Sequence, residues 1–157
     1  MKTFEGRLDA TGRRVGIVAA RFNNRVVDPI LAGAIDCLER HGARREDLTL
    51  VRVPGAWEVP YALDELAHRG GFDGLLALAV VIRGETPHFD YICGEASGGT
   101  ARVSSQHRLP VGFGILTCDN SDQAVERAGG KAGNKGWEAA QALIEMMDLG
   151  AQLRSDT

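Results

Sequence analysis

The chain has 157 residues, 44% of them hydrophobic and 25% charged, and a formal net charge of −3. That length indicates a single domain over 1–157, large enough to bury a core without a metal or disulfide staple. The slight acidity argues against a general nucleic-acid binder, no apolar run approaches the roughly 20 residues that span a bilayer, and Met1 to Ala10, with Lys2, Glu5, Arg7 and Asp9, lacks the apolar stretch of a secretory signal.

Residues 1–14 precede the first apolar run and read as an extended arm, suited to adding to the sheet of a neighbouring subunit. Val15 to Ala20 is short and rich in β-branched residues, the pattern of a buried strand. Val27, Ile30, Leu31, Ala34, Ile35 and Leu38 then fall on one helical face. Asp28 and Pro29 suggest its N-cap and first helical position, and Gly42 its stop. Leu48 to Val53 is a second strand, closed by Pro54-Gly55. A second helix starts near Trp57, with Pro60 tolerable only in its first turn; Leu63, Leu66 and Ala67 form its buried face, and Gly70-Gly71 end it.

Gly74 to Arg83 is almost continuously apolar, as a central parallel strand covered on both faces should be. A helix over about 89–107 follows, weakened by Gly98-Gly99. Val111 to Thr117 is the fourth strand, with Gly112 and Gly114 alternating with Phe113 and Ile115. A short helix over 121–128 leads into a Gly/Lys-rich turn. The last helix places Trp137, Ala140, Ile144 and Met147 on one stripe, and the polar tail over 151–157 is expected to fray. This β-α alternation predicts an α/β domain: a four-stranded parallel sheet between two layers of helices. The three cysteines, Cys37, Cys93 and Cys118, are far apart and read as buried, reduced thiols of a cytoplasmic protein rather than a metal or disulfide set.

In such a sheet ligands bind beyond the carboxyl ends of the strands. Those ends carry Arg21-Phe22-Asn23, then Pro54-Gly55-Ala56-Trp57-Glu58, then Arg83-Gly84-Glu85-Thr86-Pro87-His88, then Thr117-Cys118-Asp119-Asn120. Gly84-Glu85-Thr86 lies between a strand and a helix, where backbone N–H groups favour an anion; the plainer reading makes Thr86 a helix cap. Neither a P-loop nor a G-x-G-x-x-G dinucleotide fingerprint is present. Of the four histidines, His88 alone sits at a strand end, and imidazole is the side chain best suited to proton transfer near neutrality. His41 and His68 fall near helix C-termini, and His107 lies in a polar stretch. Phe22 is either a stacking ring or core, Glu58 a dipole-favoured surface carboxylate or an acceptor for ligand N–H groups, and Phe113 packing within a strand or at an interface. Arg127 to Gly136 reads as a solvated loop or a mobile anion site, using Arg127 with Lys131 or Lys135. So rich in glycine, it is expected to need partner contacts to become ordered.

Taken in order, Arg21-Phe22-Asn23, Pro54 to Pro60, Val81 to Asp90, Gly112 to Thr117 and Arg127 to Gly136 resemble the lumazine synthases of riboflavin biosynthesis, over nearly the whole chain. The resemblance implies a flavodoxin-like α/β/α fold and a transferase that condenses 5-amino-6-(D-ribitylamino)uracil with 3,4-dihydroxy-2-butanone 4-phosphate, giving 6,7-dimethyl-8-ribityllumazine, phosphate and water. It implies no cofactor and no metal. It assigns His88 to proton transfer; Phe22, Ala56, Trp57, Glu58, Val80, Val81 and Ile82 to the pyrimidine and ribityl chain; Phe113 to the adjacent subunit's site; and Glu85, Thr86, Arg127 and Lys135 to the phosphate-bearing substrate. A Glu85 carboxylate aimed at phosphate would repel it, so the backbone N–H of Glu85 is expected to serve the ligand while the side chain points away. The family also implies small-molecule substrates, a pentamer, a 60-chain shell of twelve pentamers, and association with riboflavin synthase, with no nucleic acid or membrane partner. The alternative is a non-catalytic flavodoxin-like binding or shell-forming scaffold protein.

Overall fold

The computed structural model describes residues 1–156. Four parallel strands, β1 (Val15–Ala20), β2 (Leu48–Val53), β3 (Gly74–Ile82) and β4 (Val111–Cys118), form one sheet in the order β2-β1-β3-β4. Their registers pair Ile17 with both Leu50 and Leu76, and Ala77 with Phe113. The helices are α1 (Asn24–Arg40), α2 (Val59–Arg69), α3 (His88–His107), α4 (Ser121–Glu126) and α5 (Lys135–Ser155). Helices α1 and α5 cover one face of the sheet, over Ile17, Leu76, Leu78, Leu143 and Ile144. Helices α2 and α3 cover the other, over Val18, Leu63, Leu75, Ala77 and Val103. The fold is the α/β/α sandwich that the alternation predicts, of the flavodoxin-like type that the resemblance implies. Strand β3 is buried from Gly74 to Val80, because helices lie on both its faces.

Helix α1 begins earlier than the Asp28-Pro29 pair suggests. Asn23 turns the chain in a left-handed conformation (φ 58°), which Asn tolerates better than most residues. Helix from Asn24 onward buries Val26 and Val27, and that burial outweighs the backbone bond lost at the internal Pro29. Asp28 instead accepts from Arg52 Nη2 at 2.8 Å. Pro60 does fall in the first turn of α2, after a 3-10 turn at Ala56–Glu58.

Two further expectations are corrected. The Gly/Lys segment is not a loose loop: β5 (Ala128–Gly130) and β6 (Gly133–Asn134) make a small antiparallel hairpin. It needs no partner to order it, because Lys135 N–H donates to Arg127 O at 2.8 Å, Ala132 N–H to Glu126 O at 2.9 Å, and Asn134 Nδ2 to Pro29 O at 3.1 Å. Consequently α4 stops at Glu126 rather than at Ala128. Helix α5 continues into the tail as far as Ser155, where Gln152 donates to Glu5 O at 2.8 Å and to Asp148 at 2.7 Å; Thr157 lies outside the described residues. Finally, Cys37 and Cys118 are buried, but Cys93 is only half-buried. Burial pushes the Cys37 thiol up to about 11, so it stays protonated and unreactive at neutral pH.

The N-terminal arm forms no strand or helix, bends at Leu8 before the turn at Thr11-Gly12, and lies against its own α5. Asp148, only 3% exposed, holds it there. Its carboxylate accepts from Arg7 N–H at 2.9 Å and from Arg7 Nη2 at 3.2 Å, and lies 3.8 Å from Arg13 Nη2. Among the described residues, no helix is long and apolar enough to cross a membrane.

Candidate functional site

The strand order fixes where a crevice must open. From β1 the chain crosses to β2 through α1 on one face; from β3 it crosses to β4 through α3 on the other. The two outgoing segments therefore part between β1 and β3, and leave a gap above the carboxyl ends of these strands. The pairing of β1 with β3 ends at Ala19–Leu78, while β3 runs on to Ile82 beside β4. Beyond Leu78, β3 thus has no strand partner on its β1 side, and backbone N–H and C=O groups there face the gap.

A hollow of about 290 Å³ occupies this gap, lined by Phe22, Asn23, Gly55 to Glu58, Val80, Val81, Ile82, Gly84, Thr86, His88, Phe89 and Ile92. Nine of the thirteen residues singled out from sequence border it, brought together from the ends of β1, β2 and β3 and the start of α3. Phe22 is 70% exposed and Trp57 53%. Neither is core, so the packing reading of Phe22 fails. Glu58 caps its own turn: Oε2 accepts from Gly55 N–H at 2.9 Å, which leaves the second carboxylate oxygen for other donors. Thr86 makes no side-chain cap bond; α3 begins after Pro87. Its hydroxyl and the Gly84 backbone line the hollow at the N-terminal end of α3, where partial positive charge gathers. Glu85 is exposed and borders neither this hollow nor the next.

His88, the first residue of α3, is exposed, and among the described residues its ring has no hydrogen-bond partner. The contrast with two other histidines is chemical. His41 Nδ1 sits 2.7 Å from Cys37 O at the end of α1, and His107 Nε2 sits 2.7 Å from Asp64 Oδ1, joining α3 to α2. Those rings are engaged in holding the fold, whereas His88 is open to a ligand.

Phe113, Arg127 and Lys135 are not in this crevice. They border a second hollow of about 370 Å³ beside the edge strand β4, with Thr117, Cys118, Ala132 and Glu138. Phe113 is 39% exposed, so a bare aromatic ring projects from the edge of the sheet. Arg127 Nη1 donates to Gln123 O at 3.0 Å, and Lys135 Nζ lies 3.7 Å from Glu138 Oε2. One chain therefore carries a crevice with a histidine and stacking surfaces, and a separate hollow with two cations and a ring. Sequence reading missed Phe89 and Ile92 in the first hollow, and placed Asn23 at a strand end without a role. Ile92 stands one helical turn after His88, so helical spacing could have found it. Among the described residues, no cluster of three or more His, Cys, Asp or Glu side chains is arranged to hold a metal ion.

Residues 12–151 match the 6,7-dimethyl-8-ribityllumazine synthase family. Relatives carrying that name include one from Desulfovibrio desulfuricans, 57% identical over 153 residues and 98% of each chain. Another, from Aquifex aeolicus, is 56% identical over 154 residues, 98% of this chain and 100% of the relative. A third, from Nitratidesulfovibrio vulgaris, is 54% identical over 98% of each chain. The chain belongs to the 6,7-dimethyl-8-ribityllumazine synthase family.

Proposed function

We propose that the protein is a transferase that condenses 5-amino-6-(D-ribitylamino)uracil with 3,4-dihydroxy-2-butanone 4-phosphate in the cytoplasm. The product is 6,7-dimethyl-8-ribityllumazine, with release of phosphate and water. The observation that carries the reading is the crevice between β1 and β3. There an exposed ring at Phe22, β3 backbone at Val80 to Ile82 with no strand on its β1 side, the Gly84–Thr86 turn and the free imidazole of His88 meet. Phe22 stacks on the pyrimidine. Val80, Val81 and Ile82 meet its polar edge with backbone groups, while Ala56, Trp57 and Glu58 flank the ribityl chain. Thr86 and the backbone N–H of Glu85 receive the phosphate.

The chemistry suits these groups. The 5-amino nitrogen attacks the ketone and water leaves, forming an imine. A proton lost from the adjacent carbon then lets phosphate depart, the resulting enol takes up a proton at carbon to become a methyl ketone, and the ribitylamino nitrogen attacks that carbonyl and closes the ring with loss of water. His88 carries protons through these steps. Cations stabilise the departing phosphate, and holding two substrates together supplies much of the rate.

Arg127, Lys135 and Phe113 act on the crevice of an adjacent subunit, since their own hollow is a different one. This requires an assembly, which we assign as a pentamer and, because no insertion separates α4 from α5 beyond the short hairpin, a shell of twelve pentamers able to associate with riboflavin synthase.

The test mixes the two substrates with the protein and follows product fluorescence from pH 6 to 8, beside the particle mass. The reading expects a rate well above the spontaneous one. His88→Ala should lower kcat more than it weakens the phosphate-bearing substrate, and Arg127→Ala should mainly raise that substrate's KM. No rate above background at any pH, from particles of full mass, leaves a scaffold protein instead.

A further inference from the structure

The ends of β3 and β4 are joined by a polar brace that reaches both hollows. Arg83 follows β3 directly. Its Nε donates to Asp119 Oδ1 at 2.9 Å, its Nη1 lies 3.7 Å from Asp90 Oδ1, and its guanidinium carbon stands 4.3 Å from the centre of the Phe89 ring. Phe89 and Asp90 belong to the first turn of α3, next to His88. One side chain thus links the end of β3, before the Gly84–His88 turn, to the start of α3 after it. Beyond β4 the same Asp119 is used again. Its backbone N–H donates to Gln123 Oε1 at 2.8 Å, the Gln123 N–H donates to Asn120 Oδ1 at 2.9 Å, and the Gln123 carbonyl accepts from Arg127 Nη1 at 3.0 Å.

We propose that Asp119 is a positioning residue for both phosphate-handling segments: its carboxylate sets the Gly84–His88 turn through Arg83, and its backbone N–H sets the aim of Arg127 through Gln123. The proposal rests on the reading that Thr86 and Arg127 receive the phosphate. Asp119 borders neither hollow, and a carboxylate against phosphate would repel it, so a direct contact is not its role. Arg83 has its charge engaged by Asp119 and its face on Phe89, so it too serves as a strut. The paired side chains are about half exposed, and exposed pairs add little to stability. The brace should therefore register in substrate binding and scarcely in melting temperature.

The test is steady-state kinetics on the assembled protein, varying each substrate in turn. Asp119→Ala should raise KM for the phosphate-bearing substrate by about fivefold to tenfold, and Asp119→Asn, which keeps an oxygen for Arg83 but not the charge, by about twofold to threefold. KM for the pyrimidine and the pH profile of kcat should not move. Gln123→Ala should act in the same direction. Arg83→Met combined with Asp119→Ala should cost clearly less than the product of the two single effects, as expected of partners in one network. An unchanged KM in Asp119→Ala, equal effects on both substrates, or full multiplicativity with Arg83→Met would each overturn the brace. Arg127→Ala in the same series separates the two layers. If it leaves the phosphate-substrate KM alone, the phosphate assignment is wrong; if it raises KM while Asp119→Ala does not, only the brace is wrong.

Discussion

Gly136 sits in the first turn of α5, where that helix crosses α1, and a side chain there has no room. A Cβ on Gly136 would lie 1.8 Å from Ile30 O and 2.6 Å from Ile30 C; ordinary contact begins near 3.4 Å, so α1 and α5 would have to part by about 1.6 Å. Both atoms it meets are backbone, so no rotamer change relieves the clash. Overpacking of this kind costs roughly 1–3 kcal/mol or more, against at most about 1 kcal/mol returned by the better helix propensity of Ala. Gly136→Ala should lose about 2 kcal/mol net, lowering the melting temperature by about 4–8 °C for a chain of this size. Gly94→Ala, in the interior of α3, is the control. Nothing lies within 4 Å of its Cβ, so propensity alone should raise the melting temperature by about 2–4 °C. Both are measured by far-ultraviolet circular dichroism at one fixed protein concentration, because assembly shifts apparent stability. A Gly136→Ala protein that melts at or above the parent refutes the reasoning, as does a Gly94→Ala protein that falls as far. Since Lys135 precedes Gly136 directly, the displaced helix should also weaken binding of the phosphate-bearing substrate.

Two more expectations follow from single residues. Asn134 caps α5 by accepting from Trp137 N–H at 3.0 Å and ties the hairpin to Pro29 O at 3.1 Å; Asn134→Ala should cost about 1–2 kcal/mol in urea unfolding and speed hydrogen exchange over 128–134. The Arg7 hydrogen bonds hold the Asp148 carboxyl well below the usual carboxylate range, so its hold on the arm is complete above roughly pH 4 and fades only as the pH falls further below that. Asp148→Asn should therefore speed trypsin cleavage at Arg7 at neutral pH, while the parent arm stays protected until strongly acidic conditions; equal cleavage of the two at pH 7 would contradict this.

Much of this molecule is legible in its residues. All four sheet strands follow from their apolar content and clear stops, and the bounds of β1 and β2 come out as expected: β1 is buried and apolar throughout, and edge strand β2, with Thr49 and Arg52, is closed by Pro54-Gly55. What the sequence conceals is set by contacts between distant segments. The start of α1 depends on Asn23 accepting a left-handed turn so that Val26 and Val27 can be buried, and Asp28-Pro29 mimics a better start. The order of the glycine-rich hairpin depends on Asn134 meeting Pro29, more than a hundred positions away. The length of α5 depends on an arm at the other end of the chain. The crevice residues could be gathered by one rule, that strand ends in a parallel sheet share an edge. The rule treats all four ends alike, and so does not show that Phe113, Arg127 and Lys135 fall in a hollow of their own.

That separation has an arithmetic consequence. If each crevice is completed by the cationic hollow of the next chain, a lone chain owns two halves and no whole. An open string of chains always has one site fewer than its members, and only a closed ring has as many sites as chains. Turnover per chain would then gauge how many rings are shut, and dilution should abolish activity in step with ring opening, while every chain remains folded.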